Sequence, residues 1–227
     1  MINSNLAGTT HIFDIDKTVI NAITVKEFIK AGILEKIIPI GIIIYIPYLF
    51  LALQFKILGR SLLSKKFHLL SGISQEELMR LSYKIYKNEF KQLLNKSMVE
   101  LINTINRTGG KVLIASASFS FILKPFSAEF AAQDVISTEI EFKDGFSTGK
   151  LKKIPAYGNG KLKRVSSYLE TMGIEAEKCS FYSDSYSDLE LFEYVGTPVA
   201  VNPDHFLRRI ALRRGWKIIK TQPERSQ

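Results

Sequence analysis

The feature that most constrains the fold is a set of short apolar runs separated by helical stretches. The clearest runs cover Thr10 to Phe13, Lys111 to Ala115 and Cys179 to Tyr182, and polar residues follow each of them directly. Apolar runs of this length, bounded by polar or glycine-rich sequence, are typical of buried strands. Two further runs, Pro198 to Val201 and Trp216 to Ile219, predict two more strands.

Helical periodicity fills most of the intervals between these runs. The predicted helices cover residues 99–108, 121–132, 161–172, 188–194 and 204–213. Strands that alternate with helices favour a parallel sheet covered on both faces, so we predict an α/β fold with a Rossmann-like, doubly wound parallel sheet. Between Asp134 and Leu151, the dipeptide Asp144-Gly145 lies between alternating residues, and we expect a hairpin beside that sheet.

A helical insert interrupts the alternation. Residues 19–94 show helical periodicity and no clear strand, so we predict a core of residues 1–18 and 95–227 with an inserted helical cap of residues 19–94. Within the cap, Ser74-Gln75-Glu76-Glu77 matches a capping box and predicts the start of a helix. The apolar positions expected on that helix are Leu78, Leu81, Ile85 and Phe90.

The cap contains an unusually apolar segment, Ile37 to Phe55, of about 19 uncharged residues. That length nearly spans a bilayer, but a single crossing would place Asp14 and Asp184 on opposite sides of a membrane. Two prolines and a glycine also interrupt the segment. Two interpretations remain open: a buried or dimer-forming pair of cap helices, or a segment that dips into a membrane surface.

Composition narrows the classes of function. The net charge of +9 favours anionic partners such as phosphate esters, acidic lipid or nucleic acid. The single cysteine, Cys179, excludes a disulfide framework, and three histidines are too few to favour a Cys/His zinc cluster. Because the sequence shows no basic-then-apolar leader, we expect a cytoplasmic protein, with association to a membrane as an alternative.

Polar side chains cluster where three of the predicted strands end. They are Asp14, Asp16 and Thr18 after the first strand, Ser116 after the second, and Asp184 and Asp188 after the third. The carboxyl ends of parallel strands meet at one edge of a sheet, and ligands of open α/β sheets bind there. Carboxylates supply the hard oxygen ligands that Mg²⁺ prefers, commonly together with a substrate phosphate. We therefore expect Mg²⁺ as the cofactor.

These residues resemble the motifs of the haloacid dehalogenase-like phosphatases. Asp14-Ile15-Asp16-Lys17-Thr18 resembles the first motif, Ser116 the second, Lys161 the third, and Ser183 to Asp188 the fourth. The insert between the first and second motifs is similar to that of subfamily IB, the phosphoserine-phosphatase-like branch. Pro198 to Asp204 and Arg213 to Trp216 also resemble that branch, and the match runs from Thr10 to Ile219. Four motifs in order are far more specific than a lone D-x-D-x-T.

The resemblance implies a magnesium-dependent phosphomonoester hydrolase that acts through an aspartyl-phosphate intermediate. Asp14 would be the nucleophile, and Asp16 would protonate the leaving group and then deprotonate water. Ser116, Ala117 and Lys161 would bind the phosphate, with Lys161 also stabilising charge during catalysis.

The resemblance also implies a set of metal ligands. Asp14, the backbone carbonyl of Asp16 and the side chain of Asp184 would hold the magnesium. Asp188 and Thr18 would lie just outside this set, with Asp188 orienting Lys161 or a metal-bound water.

Simpler interpretations of four of these residues remain open. Asp16 could be a turn residue, and Asp188 could be an ordinary charge in the first turn of a helix. Ser116 could cap a helix while Ser118 contacts the phosphate instead, and Lys161 could be a solvated lysine.

The substrate is open between two classes. We expect a small phosphorylated metabolite. The alternative is a lipid phosphate, handled at the membrane surface by a phosphatidylglycerophosphatase-like enzyme, which the apolar cap segment and the basic charge suggest. Phosphoserine phosphatases tend to carry an acidic residue soon after the first motif, where this chain has Val19-Ile20-Asn21-Ala22, so phosphoserine itself is not the expected substrate.

A non-catalytic basic binding module is a remote alternative that rests on net charge alone. Because no nucleic-acid-binding motif is found, we expect no nucleic-acid partner.

Overall fold

The computed structural model describes residues 6, 8–41 and 70–221. The strands are β1 (Thr10–Phe13), β2 (Lys111–Phe119), β3 (Asp134–Thr138), β4 (Ile140–Lys143), β5 (Phe146–Leu151), β6 (Cys179–Ser183), β7 (Thr197–Val201) and β8 (Lys217–Ile219). Six of them form one sheet in the order β3-β2-β1-β6-β7-β8, and each neighbouring pair is parallel. The strand order reverses at β1, as in doubly wound folds, which confirms the predicted fold class.

Helices cover both faces of this sheet. They are α1 (Thr24–Leu34), α2 (Gln75–Asn88), α3 (Lys96–Arg107), α4 (Ser120–Glu129), α5 (Asn159–Thr171), α6 (Leu189–Tyr194) and α7 (His205–Arg214). The five helices predicted outside the cap are all found, with each boundary within three residues of the prediction.

The two faces have separate apolar cores because successive side chains of a strand point to opposite sides. On β1, Ile12 packs into the core that contains residues of α5, α6 and α7, whereas Phe13 packs into the core that contains residues of α1 to α4. In β6, Tyr182 stacks on Phe13 with ring centroids 4.4 Å apart. Its hydroxyl lies 3.3 Å from Nδ1 of His11, so the polar tip of this buried ring is also satisfied.

The second strand is longer than predicted. The prediction ended it at Ala115, but β2 continues to Phe119. Its register against β3 shifts between Ala115 and Phe119, so the chain stays extended through an irregular pairing. The polar residues Ser116 and Ser118 therefore lie within the end of the strand rather than after it.

The predicted hairpin over Asp134 to Leu151 is wrong in its first part. Residues Asp134–Thr138 form the edge strand β3, parallel to β2, and only β4 and β5 form the antiparallel pair. Alternation of polar and apolar residues shows that a segment is extended but not which strand it pairs with. The turn between β4 and β5 is the one expected: Asp144 (φ 51°) and Gly145 (φ 82°) both adopt the left-handed conformation that a two-residue hairpin turn requires.

Within the described parts of the insert, α1 and α2 are helices, joined to the rest of the chain by turns and bends. The side chain of Ser74 accepts a hydrogen bond from the backbone N–H of Glu77 at the start of α2, which confirms Ser74 as the N-cap of this helix. Phe90 lies in the short 3-10 helix that follows α2 rather than in α2 itself. Aromatic contacts join α1 and α2 to α4, including Phe28 with Phe121 at a centroid distance of 5.3 Å.

Most of the apolar segment Ile37 to Phe55 lies outside the described residues, which end at residue 41 and resume at residue 70. Across the part of the chain that the structure describes, no helix is both long enough and apolar enough to cross a bilayer.

Candidate active site

The sheet order brings the ends of three strands together. Because β1 lies between β2 and β6, the residues at their carboxyl ends share one edge of the sheet. Asp14 follows β1, Ser116 lies near the end of β2, and Asp184 follows β6. The sequence predicted these three residues at one edge, and the structure places them there.

The chain turns tightly after β1. The backbone carbonyl of Ile15 accepts hydrogen bonds from the N–H groups of Thr18, Val19 and Ile20, at 3.0 to 3.3 Å. Thr18 is fully buried, and its hydroxyl has no hydrogen-bond partner among the described residues. Its backbone carbonyl accepts from Nδ2 of Asn95 at 3.2 Å. Thr18 therefore helps to shape the loop beneath the site.

Lys161 reaches the site from the first turn of α5. Gly158, the residue before that helix, has a φ of 53°, a conformation that glycine adopts without strain. At Gly160 a Cβ would lie 2.2 Å from the carbonyl oxygen of Pro155, so only glycine fits there. This close turn directs Lys161 inward, where 2% of the residue is exposed, rather than into solvent.

A buried ion-pair arrangement connects Lys161 with two aspartates. Its Nζ donates to Oδ1 of Asp14 at 3.2 Å and to Oδ2 of Asp188 at 2.7 Å. The hydroxyl of Ser183 also donates to Oδ2 of Asp188, at 2.7 Å. Asp188 is therefore a buried partner of Lys161, not an exposed helix charge. The sequence did not predict the contact between Ser183 and Asp188. The only feature of the sequence that pointed to Ser183 was its position as a polar residue at the end of an apolar run.

Burial sets the electrostatics of the site. Burial raises the pKa of Asp14 to about 8, with Lys161 opposing the shift and Asp188 adding to it. Burial likewise raises the pKa of Asp184 to about 7. Burial alone lowers the pKa of Lys161, but the carboxylates of Asp14 and Asp188 outweigh it and raise the pKa above its ordinary value, so the lysine stays charged.

These carboxylates fit a divalent cation. The buried acidic groups outnumber Lys161, the buried cation beside them, so a second positive charge would stabilise their ionised forms. Within residues 6, 8–41 and 70–221, no group of three or more His, Cys, Asp or Glu side chains is arranged to hold a metal ion. The expected set needs only two carboxylates, Asp14 and Asp184, because Asp16 would contribute its backbone carbonyl. Hard oxygens are the ligands that suit Mg²⁺.

The carboxylate of Asp16 is held by side chains of two other elements. Its Oδ1 accepts from the backbone N–H of Thr24 at 2.9 Å and from the Thr24 hydroxyl at 2.7 Å. The hydroxyl of Ser118 lies 3.4 Å from Oδ2. Burial raises the pKa of Asp16, and the hydrogen bonds from Thr24 oppose that rise. The prediction missed Thr24, for which the sequence offers no motif.

The expected phosphate-binding residues lie at the end of β2. Ser116 is buried, and its Oγ accepts from the backbone N–H of Ser118 at 3.3 Å. Ser116 is not a helix cap, because Phe119 occupies the N-cap position of α4. Ala117 is exposed, and its carbonyl accepts from the hydroxyl of Thr138 at 2.7 Å, which fixes the backbone of this segment.

Comparisons with known proteins agree with this arrangement. A family model described as haloacid dehalogenase-like hydrolase matches residues 12–193. The chain is 30% identical, over 96% of its length and 80% of the relative's, to the "Inhibition of morphological differentiation protein" of Streptomyces azureus. It is 32% identical to a histidinol-phosphatase of Neisseria meningitidis, over 68% of this chain and 72% of that protein.

Solved structures match over nearly the whole chain. A protein with unknown function from Bordetella pertussis Tohama I superposes with a TM-score of 0.76 at 27% identity, covering 92% of this chain and 97% of that one. A substrate-bound phosphoserine phosphatase complex superposes with a TM-score of 0.63 at 20% identity, covering 93% of this chain and 92% of that one, and so shares the fold. This chain therefore belongs to the haloacid dehalogenase-like hydrolase family.

Proposed function

We propose that the protein is a magnesium-dependent phosphatase that hydrolyses a small phosphorylated metabolite through a phosphorylated Asp14. The observation that carries the proposal is the buried contact of Lys161 with Asp14 and Asp188 at the carboxyl edge of the sheet. A buried lysine between two carboxylates, beside a further, half-buried acid at Asp184, suits the binding and transfer of a phosphoryl group. The similarity to a relative named histidinol-phosphatase supports the same class of substrate.

In the first step, an oxygen of the Asp14 carboxylate attacks phosphorus. The new bond from that oxygen to phosphorus forms as the bond from phosphorus to the ester oxygen breaks. Protonated Asp16 gives its proton to the departing oxygen, so the alcohol leaves as a neutral molecule. The phosphoryl group is then held as a mixed anhydride on Asp14.

In the second step, a water molecule attacks the same phosphorus. Asp16, now ionised, accepts a proton from that water, and the bond between phosphorus and the Asp14 oxygen breaks. Inorganic phosphate leaves, the Asp14 carboxylate is restored, and Asp16 is again protonated. Asp16 therefore acts as the acid in the first step and as the base in the second.

Three residues of the chain hold the transferred group. Lys161 is positioned to neutralise charge on the phosphoryl oxygens, and the Asp188 carboxylate keeps it charged. Ser116 and the backbone N–H of Ala117 would donate hydrogen bonds to the same oxygens. Magnesium, held by Asp14, Asp184 and the carbonyl of Asp16, would offset the repulsion between the nucleophile and the phosphate.

The relative named histidinol-phosphatase supports a small metabolite as the substrate class, and the described residues argue against phosphoserine. Val19 and Ile20, which follow the first motif, are fully buried and apolar, so they present no carboxylate to the ammonium group of phosphoserine. The lipid-phosphate alternative rests on the segment 37–55, and no contact among the described residues adds support for it.

The test is a phosphate-release screen of the purified protein with Mg²⁺. The substrates are soluble phosphomonoesters, including histidinol phosphate and phosphoserine, and, in detergent, phosphatidylglycerophosphate and phosphatidic acid. Asp14→Asn is the blank, and Asp134→Asn, at the exposed start of β3, is the matched control. We expect the wild type and Asp134→Asn to release phosphate from a soluble ester, and Asp14→Asn to release none. Turnover that survives in Asp14→Asn would exclude Asp14 as the nucleophile, and a preference for lipid would overturn the substrate class.

A further inference from the structure

A hydrogen-bonded group of three side chains lies beside the nucleophile. It consists of Asp16, Thr24 at the first position of α1, and Ser118 near the end of β2. Thr24 and Ser118 are both fully buried. The Thr24 hydroxyl donates to Oδ1 of Asp16 at 2.7 Å and is itself within hydrogen-bonding distance of the Ser118 hydroxyl. Side chains from two other elements therefore converge on the Asp16 carboxyl group.

The protons of this group can be assigned by counting donors. Thr24 has one hydroxyl proton, and the contact with Oδ1 of Asp16 uses it, whether or not Oδ2 carries a proton. The contact between the two hydroxyls must then use the proton of Ser118, with the Thr24 oxygen as acceptor. Ser118 therefore orients the hydroxyl of Thr24, and Thr24 orients the carboxyl of Asp16.

The two oxygens of the Asp16 carboxyl group are not equivalent. Oδ1 accepts both the backbone N–H and the hydroxyl of Thr24, at 2.9 and 2.7 Å. Oδ2 lies 3.4 Å from the Ser118 hydroxyl, whose one proton is already used in the contact with Thr24. A transferable proton is more stable on the oxygen that accepts fewer hydrogen bonds, which is Oδ2.

We propose that Thr24 is a positioning residue that occupies Oδ1 of Asp16, so that Oδ2 carries the proton delivered to the leaving group. The inference rests on the proposed function and goes beyond it by naming the residue that orients the acid. In the first step the proton moves from Oδ2 to the ester oxygen as its bond to phosphorus breaks. In the second step the same Oδ2 receives a proton from the attacking water.

Thr24 also has a structural role, and the test must separate the two. Ile23, the N-cap residue of α1, makes no side-chain cap hydrogen bond, so Asp16 satisfies the backbone N–H of Thr24 instead. Loss of that cap alone would lower stability without distinguishing between substrates. Loss of acid positioning would slow the first step only for esters whose leaving group needs a proton, and kcat/KM reports that step, whereas the second step is common to all esters and enters only kcat.

The experiment compares two substrates for each variant. Thr24→Val removes the hydroxyl but keeps the shape and the backbone N–H. We expect kcat/KM on an alkyl ester, β-glycerophosphate, to fall at least about tenfold, since the hydrogen bond that orients the acid is lost. On p-nitrophenyl phosphate, whose leaving group departs without protonation, we expect a fall of less than about threefold. Thr24→Ser restores the hydroxyl and should recover most of the loss on the alkyl ester.

Thr104→Val is the matched control, because Thr104 lies on α3 and its hydroxyl donates to the carbonyl of Glu100. If Thr24→Val does not fold, Ser118→Ala should give the same selective loss on the alkyl ester. Equal losses on both esters, or no loss on either, would overturn the assignment of Thr24 while leaving the phosphatase proposal standing. A wild type that is inactive on both esters, as on every ester of the screen, would overturn both proposals together.

Discussion

Nζ of Lys161 lies closer to Oδ2 of Asp188, at 2.7 Å, than to Oδ1 of Asp14, at 3.2 Å. The nearer partner is thus the one that forms no bond to phosphorus in the proposed reaction. When the phosphoryl group neutralises Asp14, the Asp188 carboxylate still holds the lysine in its charged form. The position of Lys161 therefore does not depend on the charge state of the nucleophile.

The first prediction follows from the contact between Lys161 and Asp188. Asp188→Asn keeps the shape of the side chain but removes its charge, so Lys161 loses its nearer anionic partner. We expect kcat to fall by roughly 10- to 100-fold, with a smaller change in KM, because Lys161 stabilises the transferring group more than the bound ester. Steady-state kinetics on the best soluble ester would measure this.

The control for that variant is Glu193→Gln, which removes the exposed ion pair with Arg214. Exposed ion pairs contribute little, so its kcat should match the wild type. An Asp188→Asn protein with wild-type kcat would show that Asp14 alone suffices to position the lysine.

Residue patterns predicted the sheet edge but not the contacts across it. Strand β1 was predicted with its observed bounds, and Asp14, Ser116 and Asp184 were expected at one edge because parallel strands end together. The contact between Thr24 and Ser118 joins residues 94 positions apart in the sequence. No local pattern encodes such a contact, since it depends on how α1 lies against the end of β2.

The prediction that the hairpin begins at Asp134 was wrong for a related reason. Asp134–Thr138 contains the β-branched residues Val135, Ile136 and Thr138, which are typical of a strand, but the sequence does not show that β2 offers this strand an open edge. The cap was predicted as helical, and α1 and α2 are helices, but their packing on α4 depends on shape complementarity between aromatic side chains such as Tyr86 and Phe126. Partners of this kind are set by tertiary packing.

The turn before α5 gives the second prediction. In Gly160→Ala the new Cβ would meet the Pro155 carbonyl oxygen at 2.2 Å, so the first turn of the helix must shift. We expect a loss of about 1 to 3 kcal/mol in unfolding free energy, typical of overpacking, together with reduced kcat because Lys161 moves with the turn. Ser167→Ala, exposed on the same helix, should change neither quantity. An unaltered kcat in a folded Gly160→Ala protein would contradict the link between this turn and the lysine.

The third prediction concerns the effect of the buried Asp14 carboxyl group on the unfolding free energy of the metal-free protein. Burial raises the pKa of Asp14 from 3.8 to about 8, so between these values the folded state holds a proton that the unfolded state lacks. The stability of the wild type therefore falls as pH rises through this window. In EDTA, Asp14→Asn should be more stable than the wild type at pH 8 by about 2 to 5 kcal/mol, and the difference should shrink towards pH 4.

Urea denaturation of both proteins across this pH range measures that difference in unfolding free energy. The ionisable groups that the two proteins share contribute almost equally to both values, so their contributions largely cancel. Adding Mg²⁺ should reduce the difference at pH 8, because the ion stabilises the folded wild type. A difference that is independent of pH, or that favours the wild type in EDTA, would contradict the prediction.

The fourth prediction concerns His11, which is 2% exposed in β1, with Nε2 2.8 Å from the Thr9 hydroxyl. Burial lowers its pKa from 6.5 to about 4, so between these values the unfolded state binds a proton that the folded state does not. Its contribution to stability is therefore complete above pH 6.5 and is lost as pH falls to about 4. The free energy of unfolding of the wild type relative to His11→Gln should drop by about 3 kcal/mol between pH 7 and pH 4, measured by urea denaturation. A difference between the wild type and His11→Gln that does not change with pH would exclude His11 as the source of the loss.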